Sequence, residues 1–143
     1  MERFRTIAVG LVVVLAVTGL SATSRGTECT PDEPCKCIGT HDCDFTCKGK
    51  GCKITCMGTG DCRVDCPEGG CKVSVMGTGD TNVSCKVGGC KVDVSGTGDT
   101  SLDCPGKNCK MTCSGTASCV LKNCKKKKDC KLSCSGTGSC SRE

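Results

Sequence analysis

Gly-Thr recurs at positions 39, 58, 77, 96 and 115, always 19 residues apart, and once more at 136 after an interval of 21. No other feature limits the fold so tightly, because a fixed period of this length means one structural unit built again and again. The copies read GTHDCDFTCKGKGCKITCM, GTGDCRVDCPEGGCKVSVM, GTGDTNVSCKVGGCKVDVS and GTGDTSLDCPGKNCKMTCS. A longer copy, GTASCVLKNCKKKKDCKLSCS, and the fragment GTGSCSRE follow, while GTECTPDEPCKCI supplies a partial first copy.

Each copy holds two short alternating segments, such as Cys62, Val64, Cys66 and then Cys71, Val73, Val75. Period-two alternation means strands with one buried face. Gly, Pro, Lys and Asn turns such as PEGG and PGKN separate them, and no segment shows a helical period. Two strands and two turns per 19 residues suit one coil of a flattened solenoid. Neighbouring coils would stack about 4.8 Å apart, with equivalent residues in ladders. The expected fold is all-β, a single-domain β-solenoid of about six coils with two short strands each. The alternative is an antiparallel β-meander, which would leave its Cys and aliphatic face uncovered where a coil closes that face on itself. Phe45, Ile54, Val64, Val73, Val83, Val92, Leu102, Met111, Leu121 and Leu132 are the expected interior.

That interior is thin, and the chain carries 20 cysteines with no Trp or Tyr. An even count in an exported chain reads as a disulfide framework. The repeat supplies a pairing. Around the Gly-Thr turn, Cys37 and Cys43, Cys56 and Cys62, Cys113 and Cys119, and Cys134 and Cys140 are present together, whereas Val75 with Thr81 and Val94 with Thr100 replace both members. Around the opposite turn, Cys29 and Cys35, Cys47 and Cys52, Cys66 and Cys71, Cys85 and Cys90, Cys104 and Cys109, and Cys124 and Cys130 are always both present. These pairs use every cysteine, so about ten local disulfides are expected, each closing one turn. Bonds between equivalent cysteines of adjacent coils are the alternative.

The N-terminus, MERFRTIAVGLVVVLAVTGLSATS, has Arg3 and Arg5 ahead of an apolar stretch and a small-residue end, the plan of a secretory signal peptide. The stretch from Ile7 to Leu20 is about 14 residues, short of the roughly 20 that span a bilayer. The expected organisation is a signal peptide over 1–24, an N-terminal partial coil over 25–38, solenoid repeats over 39–135 and a C-terminal partial coil over 136–143. Export places the chain in a secreted or extracytoplasmic setting, periplasmic or in the cell envelope for a bacterium. Cleavage after Ser24 leaves 119 residues with 18 basic and 14 acidic side chains, a net charge of +4.

Catalysis has little to build on. His41 is the only histidine and replaces a glycine in the turn, and paired cysteines offer no free nucleophile. The expectation is a non-enzymatic chain without a cofactor. Metallothionein-like chemistry wants close thiolate spacing, but only Cys35 and Cys37 form Cys-x-Cys and Cys-x-x-Cys is absent. Asp42, Asp61, Asp80 and Asp99 share one column, continued by Ser118 and Ser139. Gly-x-Gly-Asp resembles the calcium-binding nonapeptide repeats of bacterial toxins but lacks a residue between glycine and aspartate, and an Asx-type turn cap is the simpler account.

Thr40, Thr59, Thr78, Thr97, Thr116 and Thr137 form another column. With the stapled coils from Cys29 to Cys140, it resembles the architecture of insect hyperactive antifreeze proteins, which are disulfide-rich β-solenoids. That resemblance implies ice binding. Those proteins present flat Thr-x-Thr faces, whereas here the residue two positions on is Asp or Ser and the threonine lies in a turn. The chain also looks like secreted Gly/Cys repeat proteins of unknown function.

Lys36, Lys53, Lys72, Lys91, Lys110 and Lys131 each follow the closing cysteine of the second turn and are expected to project as one stripe about 24 Å long, thickened by Lys125 to Lys128. Such a stripe fits anionic glycans, cell-surface polymers or anionic lipid headgroups. Lysines also keep a solenoid soluble and discourage edge pairing. Without an aromatic platform, nucleic acid is not the expected partner. Asn82-Val83-Ser84 is a glycosylation sequon at an outward position, relevant in a eukaryotic source. The expected role is thus an exported structural or binding module acting through a lysine stripe, with ice binding and calcium binding as the alternatives.

Overall fold

The computed structural model describes residues 26–143, and the expected signal peptide lies outside them. The odd strands β1 (Thr27–Cys29), β3 (Cys43–Cys47), β5 (Cys62–Asp65), β7 (Thr81–Ser84), β9 (Thr100–Asp103), β11 (Cys119–Lys122) and β13 (Cys140–Arg142) form one sheet, called A. The even strands β2 (Cys35–Cys37), β4 (Lys53–Cys56), β6 (Lys72–Val75), β8 (Lys91–Val94), β10 (Cys109–Cys113) and β12 (Cys130–Cys134) form the other, B. Every pairing between these strands is parallel and joins a strand to the next but one. A chain that visits two sheets in turn and always adds to the same edge is a solenoid, so the antiparallel meander is excluded. The only helical piece among the described residues is a 3-10 turn, Lys127–Asp129, in the expanded copy.

The alternation works as read. Phe45, Val64, Val83, Leu102 and Leu121 stand in register on sheet A. Ile54, Val73, Val92, Met111 and Leu132 do so on sheet B. All are buried except Leu132, which is half-buried. Cysteines make up 15 of the 27 members of the buried hydrophobic core, more than all its other residues together.

The ten disulfides are the ten local pairs. Cys37–Cys43, Cys56–Cys62, Cys113–Cys119 and Cys134–Cys140 clasp Gly-Thr turns. Cys29–Cys35, Cys47–Cys52, Cys66–Cys71, Cys85–Cys90, Cys104–Cys109 and Cys124–Cys130 clasp the opposite turns. Their Cα separations run from 5.8 to 6.6 Å, inside the ordinary disulfide range. The two unclasped turns are filled instead by Val75, Val94, Thr81 and Thr100, each 2% exposed or less. Thr81 pairs in register with Cys62 on one side and Thr100 on the other, so threonine takes the volume of the missing half-cystine. The hydroxyl oxygens of both threonines lack a hydrogen-bond partner. A buried orphan of this kind costs about 1–3 kcal/mol.

Glycine is required at the Gly-Thr turns because successive turns touch through backbone. A Cβ on Gly77 would lie 2.2 Å from the carbonyl oxygen of Gly58, and one on Gly96 would lie 2.2 Å from that of Gly77. The close approach lets Thr59, Thr78 and Thr97 donate their N–H groups to Gly39, Gly58 and Gly77 at 2.8, 3.1 and 3.1 Å. The opposite turn uses glycine differently. The residue before its closing cysteine is left-handed, at φ 72° in Gly70, 73° in Gly89 and 60° in Asn108, and Asn tolerates this conformation better than most side chains. In the expanded copy, Lys122 pairs with Asp103, which leaves Asn123 level with Cys104 and displaces Cys124 by one residue. Asn123 absorbs the extra residue at φ 59° and donates from Nδ2 to Asp103 at 2.8 Å.

Two outcomes follow. Val75→Cys with Thr81→Cys should form an additional disulfide in a non-reduced peptide map and raise unfolding free energy by about 2 kcal/mol, whereas Val75→Cys alone leaves a free thiol and no gain. Gly77→Ala should cost about 2 kcal/mol or more in denaturant unfolding, since the added methyl has only backbone to displace.

Candidate functional site

With the interior committed to sulfur and small aliphatics, function falls to the outward columns. On sheet B, Lys53, Lys72, Lys91, Lys110 and Lys131 stand opposite one another along β4, β6, β8, β10 and β12, all exposed. The stripe read from sequence is corrected at its first member. Lys36 is exposed but pairs with Thr55, one column over. The cause is a shorter strand: Cys35-Lys36-Cys37 aligns on Cys56, so Cys35 stands opposite Ile54 and its neighbour is carried out of the lysine row. Five lysines therefore share one line of about 19 Å, four steps of the strand spacing.

The second outward column of sheet B is mostly hydroxyl: Thr55, Ser74, Asp93, Thr112 and Ser133. Asp93 pairs with Lys91 at 3.0 Å, while among the described residues no ion pair engages the other four lysines of the row. Ammonium groups at the backbone spacing would repel by roughly 0.9 kcal/mol per neighbouring pair in water. A row of this kind favours any counter-charge that lies along it.

The expanded turn adds Lys125, Lys126, Lys127 and Lys128, all exposed. The 3-10 turn closes through Asp129 N–H to the Lys126 carbonyl at 2.8 Å, and Asn108 N–H donates to the Asp129 carbonyl at 2.6 Å. Arg142, opposite Leu121 in the inward column of sheet A, donates to the Lys127 carbonyl at 3.4 Å.

Register sorts charge by side. The outward face of sheet B presents six lysines against Asp93 alone. That of sheet A presents Glu28, Asp44, Asp65 and Asp103 against Arg63 and Lys122. The Gly-Thr edge carries Asp42, Asp61, Asp80 and Asp99, all exposed, and the opposite edge carries Lys48, Lys50, Lys86, Lys107 and the lysine run, which outnumber its acids Asp32, Glu33, Glu68 and Asp129. Sheet B and the opposite turns thus form a basic half, and sheet A and the Gly-Thr turns an acidic one.

The aspartate column has a structural role the repeat did not reveal. Asp61 N–H donates to Asp42 Oδ1 at 2.9 Å, Asp80 N–H to Asp61 Oδ1 at 3.0 Å, and Asp99 N–H to Asp80 Oδ1 at 2.9 Å. Ser118 N–H then donates to Asp99 Oδ1 at 3.2 Å. Each carboxylate caps the backbone of the next coil, not its own turn. An ionised carboxylate is a strong acceptor for such a bond, and this accounts for the column without a cation.

The threonine column is exposed at every position from Thr40 to Thr137, and it lies in the turns. The backbone bonds that align it stop after Thr97 among the described residues. Ala117, 2% exposed, occupies the next copy in place of glycine. His41 is exposed in the first turn. Asn82 is exposed on the outward face of sheet A with Ser84 two residues on, and its Oδ1 accepts from Ser101 Oγ at 2.6 Å. Among the described residues no helix is long and apolar enough to cross a membrane.

No family model matches the chain, and neither does any curated protein or solved structure.

The inter-coil caps set a test. Asp61→Ala should lower unfolding free energy by about 1 kcal/mol through loss of one cap, while Asp61→Asn, which keeps an acceptor oxygen, stays close to the parent. A chelator should leave the melting curve of the parent unchanged; a shift to lower temperature would restore the calcium reading.

Proposed function

We propose that the chain is an exported, non-catalytic module: a rigid stapled rod that attaches to anionic surfaces or glycans through its basic half. The observation that carries this is the five-lysine row from Lys53 to Lys131, in register on a sheet face with one aspartate among its outward residues. Ten disulfides and no free cysteine among the described residues fit an oxidising compartment. The same bonds give a scaffold that holds its charges at fixed separations, as a surface exposed to protease and heat requires.

Ice binding is the second reading, favoured by the exposed threonine column at coil spacing. Against it stand the turn location and the aspartate two residues beyond Thr40, Thr59, Thr78 and Thr97 whose carboxylate is engaged with the backbone. The oxidised chain from residue 25 should be retained on a heparin-type resin at near-physiological salt and elute as salt rises. Flow-through at that salt sinks the proposal, and ice shaping in a thermal-hysteresis assay would favour the second reading.

A further inference from the structure

The face that carries the lysines also says what kind of polyanion it suits, and this inference rests on the polyanion reading above. A lone basic patch attracts any anion. Sheet B instead offers two parallel columns at one coil spacing: ammonium groups from Lys53 to Lys131, and beside them the side chains of Thr55, Ser74, Asp93, Thr112 and Ser133. Four of those five are hydroxyls; the Thr112 oxygen is buried, which leaves Thr55, Ser74 and Ser133 able to donate to and accept from a ligand. The row is straight because the strands are parallel and in register, so a ligand that meets every lysine must itself be extended along the rod. No large apolar or aromatic side chain projects from these two columns, which removes the wedge that a bilayer-inserting surface uses and the platform on which bases stack.

We propose that the ligand is a linear acidic polysaccharide lying parallel to the rod axis, its charged groups on the lysine column and its hydroxyls on the Thr/Ser column. The lysine run at 125–128 continues the basic surface around the turn at one end of the row and gives the complex a preferred end. Lys91, already paired with Asp93, contributes least of the five.

Binding is measured to polygalacturonate, which has charge and hydroxyls, to polyphosphate, a linear polyanion without hydroxyls, and to phosphatidylserine vesicles. Two variants carry the test, each first shown to keep the parent melting curve: Lys53→Glu/Lys72→Glu/Lys110→Glu, and Thr55→Val/Ser74→Ala/Ser133→Ala. The charge variant should lose about tenfold or more on both polymers. The hydroxyl variant should weaken several-fold on polygalacturonate alone. A length series on the parent, which needs no variant to fold, should show affinity rising until the oligosaccharide spans about 19 Å. The inference is overturned if either variant binds polygalacturonate as the parent does, if the hydroxyl variant weakens both polymers equally, if affinity ignores length, or if vesicles bind more tightly than polygalacturonate. Should Lys125→Glu/Lys126→Glu/Lys127→Glu/Lys128→Glu alone abolish binding while the charge variant of the row does not, the polyanion function stands and the row inference falls. If the parent binds neither polymer nor vesicles, both fall together.

Discussion

A coil of 19 residues with strands of three to five has too little apolar surface to hold itself closed, and disulfides across ten of the twelve turns supply the closure. Fixing two chain reversals per coil removes much of the freedom the unfolded chain would otherwise have, about 2 kcal/mol per short loop. Everything else accommodates that. The central ladders can stay as small as Val64, Val73, Val83 and Val92 because a half-cystine stands two residues away on at least one side of each. Turns can approach until backbone meets backbone because glycine replaces the side chain that would collide. Where the clasp is missing, Val75 with Thr81 and Val94 with Thr100 imitate its volume, and the cost appears as two buried hydroxyls without partners.

The architecture was legible because the repeat makes each position an experiment repeated within one chain. The joint loss of cysteine at Val75 and Thr81 and at Val94 and Thr100 identified bonded neighbours, and period two identified the inward columns. What stayed illegible depended on register between coils, which spacing from a cysteine does not fix. Lys36 follows a closing cysteine like the other lysines, yet its strand is short and the backbone aligns from the far end at Cys37. The column of Asp42, Asp61, Asp80 and Asp99 was visible, but not that each carboxylate reaches the N–H group one coil on. The two extra residues in the fifth copy likewise show only as length, until Lys122 is seen opposite Asp103, which leaves Asn123 to take up one and the turn between Cys124 and Cys130 the other.

The same register argument explains why the net charge understates the molecule. The full sequence carries a formal +5, and its described residues are divided between sides of opposite sign. On the acidic half several charges are spent internally, as backbone caps or in the Arg63–Asp44 pair at 3.2 Å. On the basic half the lysines of the sheet B row other than Lys91 have no such use. Arg142 points the same way. It brings a guanidinium into the inward column next to Leu121, and covering that guanidinium with another apolar rung would require desolvating a charge, so extension of the sheets by a second copy at that edge is disfavoured.

On the proposed polyanion reading, binding along the length takes a particular energetic form. A lysine side chain carries about 2 kcal/mol of rotamer entropy and an exposed ion pair returns about 0–1 kcal/mol, so one lysine on a rigid rod achieves little. The solenoid overcomes this by repetition. Once one ammonium is paired, the next anionic group of a continuous chain is already held near the next lysine, at high effective concentration. Affinity then depends on how many coils the ligand crosses and on whether its backbone can stay extended over them. That requirement is met by fixing the strands, not the lysine side chains themselves, and the strands are what the disulfides fix. On that reading the cysteines act on function at one remove: they hold the strands that keep the row in register.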